Sequence, residues 1–216
     1  MPPRALLFDF DGVLADTENI HVAAWERTFG MMGWDIPPEV CARAAEEDDR
    51  VFLADVFARR SIQGGDVEGW VRRKQELTRA LLADSPRVYP GVHELVQRIG
   101  GRTRLAVVSG TWRENIEAVL RSADLADAFE LIIAKEDISA PKPDPSGYQL
   151  ALKRLGLSPP DALALEDSPS GLAAARAASI PCLAIGHRRP AGDWTEECPY
   201  LPDLQDTETI IKVMGI

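Results

Sequence analysis

Ala5-Leu6-Leu7-Phe8-Asp9-Phe10-Asp11-Gly12 carries four apolar residues straight into two carboxylates and a glycine. A continuous apolar run, rather than an alternating one, is the pattern of a strand buried on both faces, as in a parallel sheet covered by helices. In an extended chain residues i and i+2 share a face, so Asp9 and Asp11 point together while Phe10 turns the other way. Gly12 permits the sharp turn that must follow. The same residue types also make an ordinary solvated turn, and this segment by itself leaves both readings open.

Moving outward, the pattern of Ala5 to Phe8 returns only in the second part of the chain. Leu105 to Val108 leads into Ser109-Gly110, Leu131 to Ala134 follows, Ala162 to Leu165 leads into Glu166-Asp167, and Cys182 to Ile185 leads into Gly186. Helical periodicity fills the intervals, over Val92 to Ile99, Arg113 to Ser122, Ser146 to Leu155 and Ser170 to Ala178. Strands alternating with helices specify an α/β fold with a parallel sheet. From Thr17 to Pro86 no strand pattern occurs. Helix patterns run there from Glu18 to about Gly33 behind Thr17 as N-cap, across Val40 to Ala58 as one or two helices, and over Trp70 to Leu82 before Asp84-Ser85-Pro86. The expected architecture is a doubly wound, Rossmann-like α/β core built from residues 1–16 and 87–216, with an inserted all-helical domain at 17–86. Ligands of open parallel sheets bind beyond the carboxyl ends of the strands, so an insert leaving just after Asp11-Gly12 is expected to act as a lid. His187 to Pro202 reads as loop.

Composition narrows the partners. A length of 216 residues suits one such core plus a smaller unit. A formal charge of −10 argues against nucleic acid or an anionic membrane, and no apolar run is long enough to span a bilayer. Met1-Pro2-Pro3-Arg4 leaves no room for a secretory signal before the first strand, so a cytoplasmic location is expected, with a monomer as the simplest state. Cys41, Cys182 and Cys198 are too few and too scattered for a disulfide framework and lack zinc spacing. An acidic chain still accepts a small phosphorylated metabolite where a divalent cation and a few basic groups reverse the local field.

Polar residues recur at the same end of independent strands: Asp9 and Asp11 at the first, Ser109 at the second, Glu166 and Asp167 at the fourth. Lys142 joins them from Pro141-Lys142-Pro143-Asp144-Pro145, a loop stiffened by three prolines. This coincidence favours an active site over a set of turns. The chemistry available to it is phosphoryl transfer. Carboxylates of Asp9 and Asp167 suit Mg²⁺, which prefers oxygen ligands and keeps substrate phosphate and water in its shell. Ser109 and the amide of Gly110 donate to phosphate oxygens, and Lys142 offsets the crowd of negative charge. Asp9 is then the candidate nucleophile, and Asp11 the acid that protonates the leaving alcohol and the base that later activates water.

Four segments together, Asp9-Phe10-Asp11-Gly12-Val13-Leu14-Ala15-Asp16-Thr17, Val107-Val108-Ser109-Gly110, Lys142-Pro143-Asp144-Pro145 and Leu165-Glu166-Asp167-Ser168, give the chain its resemblance to a haloacid dehalogenase (HAD) superfamily hydrolase. It is similar in particular to members with a helical C1-type cap, the subgroup of β-phosphoglucomutase and sugar-phosphate phosphatases. The resemblance implies Asp9 as nucleophile, Asp11 as acid/base, and Ser109 and Lys142 as phosphate binders. It further implies Mg²⁺ held by Asp9, Asp167, Glu166 and the main-chain oxygen of Asp11. His21, on the first cap helix, matches a histidine of related caps and is a candidate substrate contact.

Other residues carry blander readings. Asp16 and Asp144 are expected to fix loops, Gly171 and the neighbouring alanines to let a helix pack closely, and His93 and His187 to lie on the surface. Among Arg43, Arg50, Arg72, Arg73 and Lys74 a solvated helix face is the expectation, with Arg50 alone retained as a substrate-binding candidate. The leading function is a Mg²⁺-dependent phosphatase acting on a small phosphorylated metabolite, a sugar phosphate first. A phosphomutase of the β-phosphoglucomutase type is the alternative. Ala44-Ala45-Glu46-Glu47-Asp48-Asp49-Arg50 stands where that mutase subgroup has a serine-arginine stretch, which counts against it. A 2-haloacid dehalogenase is disfavoured by Asp11 and by the Glu166-Asp167 pair, and a non-catalytic binding protein by the intact motifs.

Overall fold

Buried apolar runs of four or five residues become strands, and the amphipathic stretches between them become the helices that cover both faces. The computed structural model describes residues 2–45, 48–84, 88–187, 190 and 198–215. In chain order the elements are β1 (Ala5–Phe8), α1 (Glu18–Met31), α2 (Pro38–Ala42), α3 (Asp49–Arg59), α4 (Val67–Asp84), α5 (Val92–Ile99), β2 (Arg104–Val108), α6 (Arg113–Ser122), β3 (Leu131–Ile133), α7 (Ser146–Leu155), β4 (Ala162–Glu166), α8 (Pro169–Ala177), β5 (Cys182–Ile185), β6 (Tyr200–Leu201) and α9 (Thr207–Met214). They fall into two units, residues 1–16 with 87–216 and residues 17–86.

The first unit is the doubly wound parallel sheet that the strand pattern predicts. Its strand order among the described residues is β3-β2-β1-β4-β5-β6. β1 lies centrally, pairing Ala5 with Arg104 and Phe8 with Val107 on one side, and Ala5 with Ala162 and Phe8 with Leu165 on the other. This shared register levels the carboxyl ends of β1, β2 and β4, and the change of direction between β1 and β4 is where ligands of such sheets bind. All of β1 is fully buried, which explains why its sequence does not alternate. Ala5, Leu7, Ala106, Val108, Ala162 and Ala164 share a core with Tyr148, Ala151 and Ala174 from α7 and α8. From the opposite face, the ring of Phe8 meets that of Phe129 edge-on at 5.8 Å.

The regular elements of the second unit are all helices among its described residues. Trp25, Phe29, Phe52, Leu53 and Phe57 form its core, with Trp25 stacked on Phe29 at 5.2 Å. The reading of Lys74 as solvated is corrected here: Lys74 is 1% exposed and donates to both carboxylate oxygens of Asp49 at 3.0 and 3.2 Å. Gln75 and the indole of Trp25 donate to the same carboxylate. Buried charge persists only when paired and hydrogen-bonded in this way.

Thr17 occupies the N-cap position of α1 but makes no side-chain capping bond, whereas Asp48 and Ser168 do cap α3 and α8. The stretch Val40 to Ala58, whose pattern allows one or two helices, holds two, α2 and α3, with a 3-10 turn over Arg43–Ala45 between them and Glu46 and Glu47 outside the described residues. β6 and α9 had no counterpart in the sequence reading. Ser85, Pro86 and residues 188, 189 and 191–197 of the expected loop also lie outside the described residues. No described helix is long and apolar enough to cross a membrane.

Candidate active site

Because β1 and β4 are level, Asp9 is the first residue past β1 and stands beside Glu166, the last of β4. The Asp9 amide is tied to the carbonyl of Leu165 at 2.9 Å. Gly12, at φ 81°, turns the chain back so that its amide reaches the carbonyl of Ala15, an angle that favours glycine. On the other side of β1, the amide of Ser109 is held by the carbonyl of Ile133 at 3.0 Å, past the end of β2.

Asp9, Glu166 and Asp167 each bring one carboxylate oxygen within 4.8 Å of the others, and all three are buried. Lys142 reaches in from the proline-rich loop, with Nζ 2.8 Å from Asp9 Oδ1 and 2.7 Å from Glu166 Oε1. Asp144 steadies that loop by accepting from the Ser146 amide at 2.9 Å. Ser109, Gly110, Lys142 and Tyr148 line one cleft. Of the residues singled out in the sequence, Asp9, Lys142, Glu166 and Asp167 thus converge directly, with Ser109 and Gly110 on the cleft wall beside Lys142. Asp11 is met from the segment after β2: the hydroxyl of Thr111 donates to Asp11 Oδ2, and the Thr111 amide donates to Ser109 Oγ at 3.1 Å.

His21 and Arg50 belong to the helical unit. Lys74 Nζ lies 2.9 Å from His21 Nδ1. With Lys74 as an ammonium donor, Nδ1 accepts and the ring proton sits on Nε2. Arg50 Nε is paired with Glu68 at 2.5 Å. His187, expected on the surface, instead stacks on Tyr89 with centroids 3.9 Å apart, and the Tyr89 hydroxyl donates to Asp16 at 3.4 Å.

Sequence reasoning did not find two contributors. Tyr148, buried on α7, donates its hydroxyl to Glu166 Oε1; in sequence it is one more large residue on an inward helix face. Thr111 did carry a signal, since it lies two residues beyond Ser109 at a strand end. Gly171 acquires a specific reason: a Cβ there would fall 1.8 Å from Glu166 Oε2.

The electrostatics are those of crowded acids. Burial raises the Asp9 carboxyl above its ordinary range, partly opposed by Lys142, and pushes Glu166 up to about 8, again opposed by Lys142. Burial works to lower Lys142, but the Asp9 and Glu166 carboxylates more than reverse this and hold it above its usual value. The single Lys142 ammonium is shared between the Asp9 and Glu166 carboxyl groups. Glu166 Oε2 is buried and has no hydrogen-bond partner among the described residues. An all-oxygen donor set with a spare buried acceptor fits a hard divalent cation.

Known proteins resemble this chain over most of its length. The family model described as haloacid dehalogenase-like hydrolase matches residues 6–185. Protein CbbY of Rhodobacter capsulatus is 31% identical over 97% of both chains. Fructose-1-phosphate phosphatase YqaB of Escherichia coli is 30% identical, covering 83% of this chain and 95% of its own. The crystal structure of CbbY from Rhodobacter sphaeroides in complex with phosphate superimposes with a TM-score of 0.83 at 29% identity, covering 95% of this chain and 96% of that one.

Proposed function

The chain belongs to the haloacid dehalogenase-like hydrolase family, and on that footing we propose that it is a Mg²⁺-dependent phosphatase that hydrolyses a small sugar phosphate through an aspartyl-phosphate. The observation that carries this reading is the position of Asp9. Its carboxylate is bound by Lys142 at 2.8 Å and has an oxygen within 4.8 Å of one oxygen of each of two further acids, at the strand end where Ser109 and Gly110 line the adjoining cleft.

Mg²⁺, held by the carboxylates of Asp9, Asp167 and Glu166 and the main-chain oxygen of Asp11, would supply charge neutralisation on the phosphoryl oxygens when bound. The chain's own groups do the rest. Ser109 and the Gly110 amide donate to the phosphate oxygens, and Lys142 places its charge beside them while keeping Asp9 aimed. The Asp9 oxygen attacks phosphorus as the bond to the ester oxygen breaks, and Asp11 delivers a proton to that leaving oxygen. Asp11, now ionised, takes a proton from water, which attacks phosphorus, releases inorganic phosphate and restores Asp9. Residues 17–86 are the cap domain in this reading, with His21 and Arg50 assigned to the substrate beyond its phosphate. The sugar-phosphate assignment draws on the phosphatase named among the relatives.

The test is phosphate release by the purified protein with Mg²⁺ across sugar phosphates, nucleotides and phosphoglycolate. Sugar phosphates should lead. Asp9→Asn should abolish turnover, and Asp11→Asn should let a phosphoenzyme accumulate with good leaving groups. Conversion of β-glucose 1-phosphate to glucose 6-phosphate without free phosphate would replace the proposal with a mutase. Equal and modest losses in both variants would remove the assigned roles.

A further inference from the structure

Away from the strand-end acids, the sheet unit holds a second close pair of reactive side chains. Cys182 begins β5, and Cys198 stands two residues before β6. β5 and β6 run parallel with Ala184 opposite Tyr200. Two residues back along each strand preserves both level and face, which sets Cys182 against Cys198. Their sulfurs lie 3.8 Å apart, and Cys198 Sγ also sits 3.3 Å from the Cys182 carbonyl oxygen. Neighbouring strands are about 4.8 Å apart, inside the Cα window of roughly 4.4–6.8 Å that a disulfide spans. Closing the bond therefore asks for a short movement of side chains.

We propose that Cys182 and Cys198 form a reversible thiol-oxidation site that closes to an intrachain disulfide on reaction with a hydroperoxide. Cys182 is partly exposed and Cys198 buried, so a small oxidant reaches Cys182 first. The hydrogen bond from Cys198 brings the Cys182 thiol down to about 7, with the Arg176 guanidinium helping and burial opposing. Cys198, the donor, is pushed up by the same contact and by burial. The roles follow from this asymmetry. The Cys182 thiolate attacks one peroxide oxygen; the O–O bond breaks, sulfur is oxidised to a sulfenic acid, and the expelled hydroxide takes a proton to become water. Cys198 sulfur then attacks Cys182 sulfur. The S–S bond forms, the S–O bond breaks, and the departing hydroxide leaves with the Cys198 proton as a second water. Two thiols and one hydrogen peroxide thus give one disulfide and two waters, and a dithiol reductant reverses the change.

Cys41 is the internal control. It is fully buried within the helical unit, and burial pushes its thiol up to about 11. The experiment treats the native protein with modest hydrogen peroxide, quenches, and titrates thiols in denaturant alongside peptide mass mapping. The titre should fall from the three thiols of the reduced chain to one, with a single peptide cross-link joining Cys182 to Cys198 and full recovery on reduction. In Cys198→Ser, Cys182 should instead be trapped as its dimedone adduct. Retention of all three thiols, cross-links between chains, or progression of wild-type Cys182 to sulfinic acid would each overturn the proposal.

Discussion

Gly171→Ala should destabilise the protein, although alanine at a helical position ordinarily stabilises it. Gly171 sits in the first turn of α8, and a β-carbon there would lie 1.8 Å from Glu166 Oε2 and 2.2 Å from its carboxyl carbon. Contacts that short are tolerable only if the neighbour can swing away. Glu166 has nowhere to go: it is fully buried and pinned at Oε1 by Lys142 at 2.7 Å and by the Tyr148 hydroxyl. Overpacking costs about 1–3 kcal/mol, and disturbing charge-assisted hydrogen bonds adds about 1.5–3 kcal/mol. The gain from replacing glycine in a helix is only about 0.5–1 kcal/mol. A net loss of roughly 2–4 kcal/mol follows from these terms. Gly30→Ala on α1 is the matched control, because nothing lies within 4 Å of its would-be β-carbon; it should gain up to about 1 kcal/mol. Urea midpoints for both variants, with and without Mg²⁺, measure the difference. If Gly171→Ala proves as stable as Gly30→Ala, the buried carboxylate is not held where the reasoning needs it.

Thr111→Val removes the hydroxyl that donates to Asp11 at nearly constant volume; losing a bond worth about 1–2 kcal/mol should slow turnover about 5–30-fold with KM little changed. Rapid-quench measurement should place the loss in both formation and breakdown of the phosphoenzyme, and an effect on KM alone would refute it. Asp137→Asn tests linkage on the rim of the sheet unit. Burial alone would raise the Asp137 carboxyl, but the Ala134 amide, Arg154 and Arg113 together hold it below its usual 3.8. The unfolded chain therefore takes up the proton first, so the stabilisation is fully present above pH 3.8 and is lost as the pH falls through the folded value. Wild type should exceed the variant by roughly 1 kcal/mol near neutrality, with the two denaturation midpoints converging in acid; a gap that widens in acid would contradict the sign.

The sheet was legible because its strands are buried on both faces. Ala5 to Phe8 and Leu105 to Val108 must be apolar at every position, so they announce themselves without any partner in view. The helices of both units before β5 were legible for the related reason that each keeps one apolar stripe. β6 was not, since two residues, Tyr200 and Leu201, carry no periodicity. α9 was missed although Asp206 marks its start by accepting from the Thr209 amide. Lys74 was misread because its partner Asp49 lies 25 residues away, and no local pattern distinguishes a paired buried lysine from a solvated one.

What the sequence determined by itself is which residues stand at strand ends, because strand length and the change from apolar to polar are local properties of the chain. It thereby named Asp9, Asp11, Ser109, Glu166 and Asp167 before any coordinates. The tertiary structure alone decided who touches whom: that Lys142 bridges Asp9 and Glu166, that Tyr148 and Gly171 confine Glu166, and that the Thr111 hydroxyl donates to Asp11. Those contacts join side chains separated by tens of residues, and they depend on the parallel register of β1 with β2 and β4, a relation between segments that no single stretch of sequence contains.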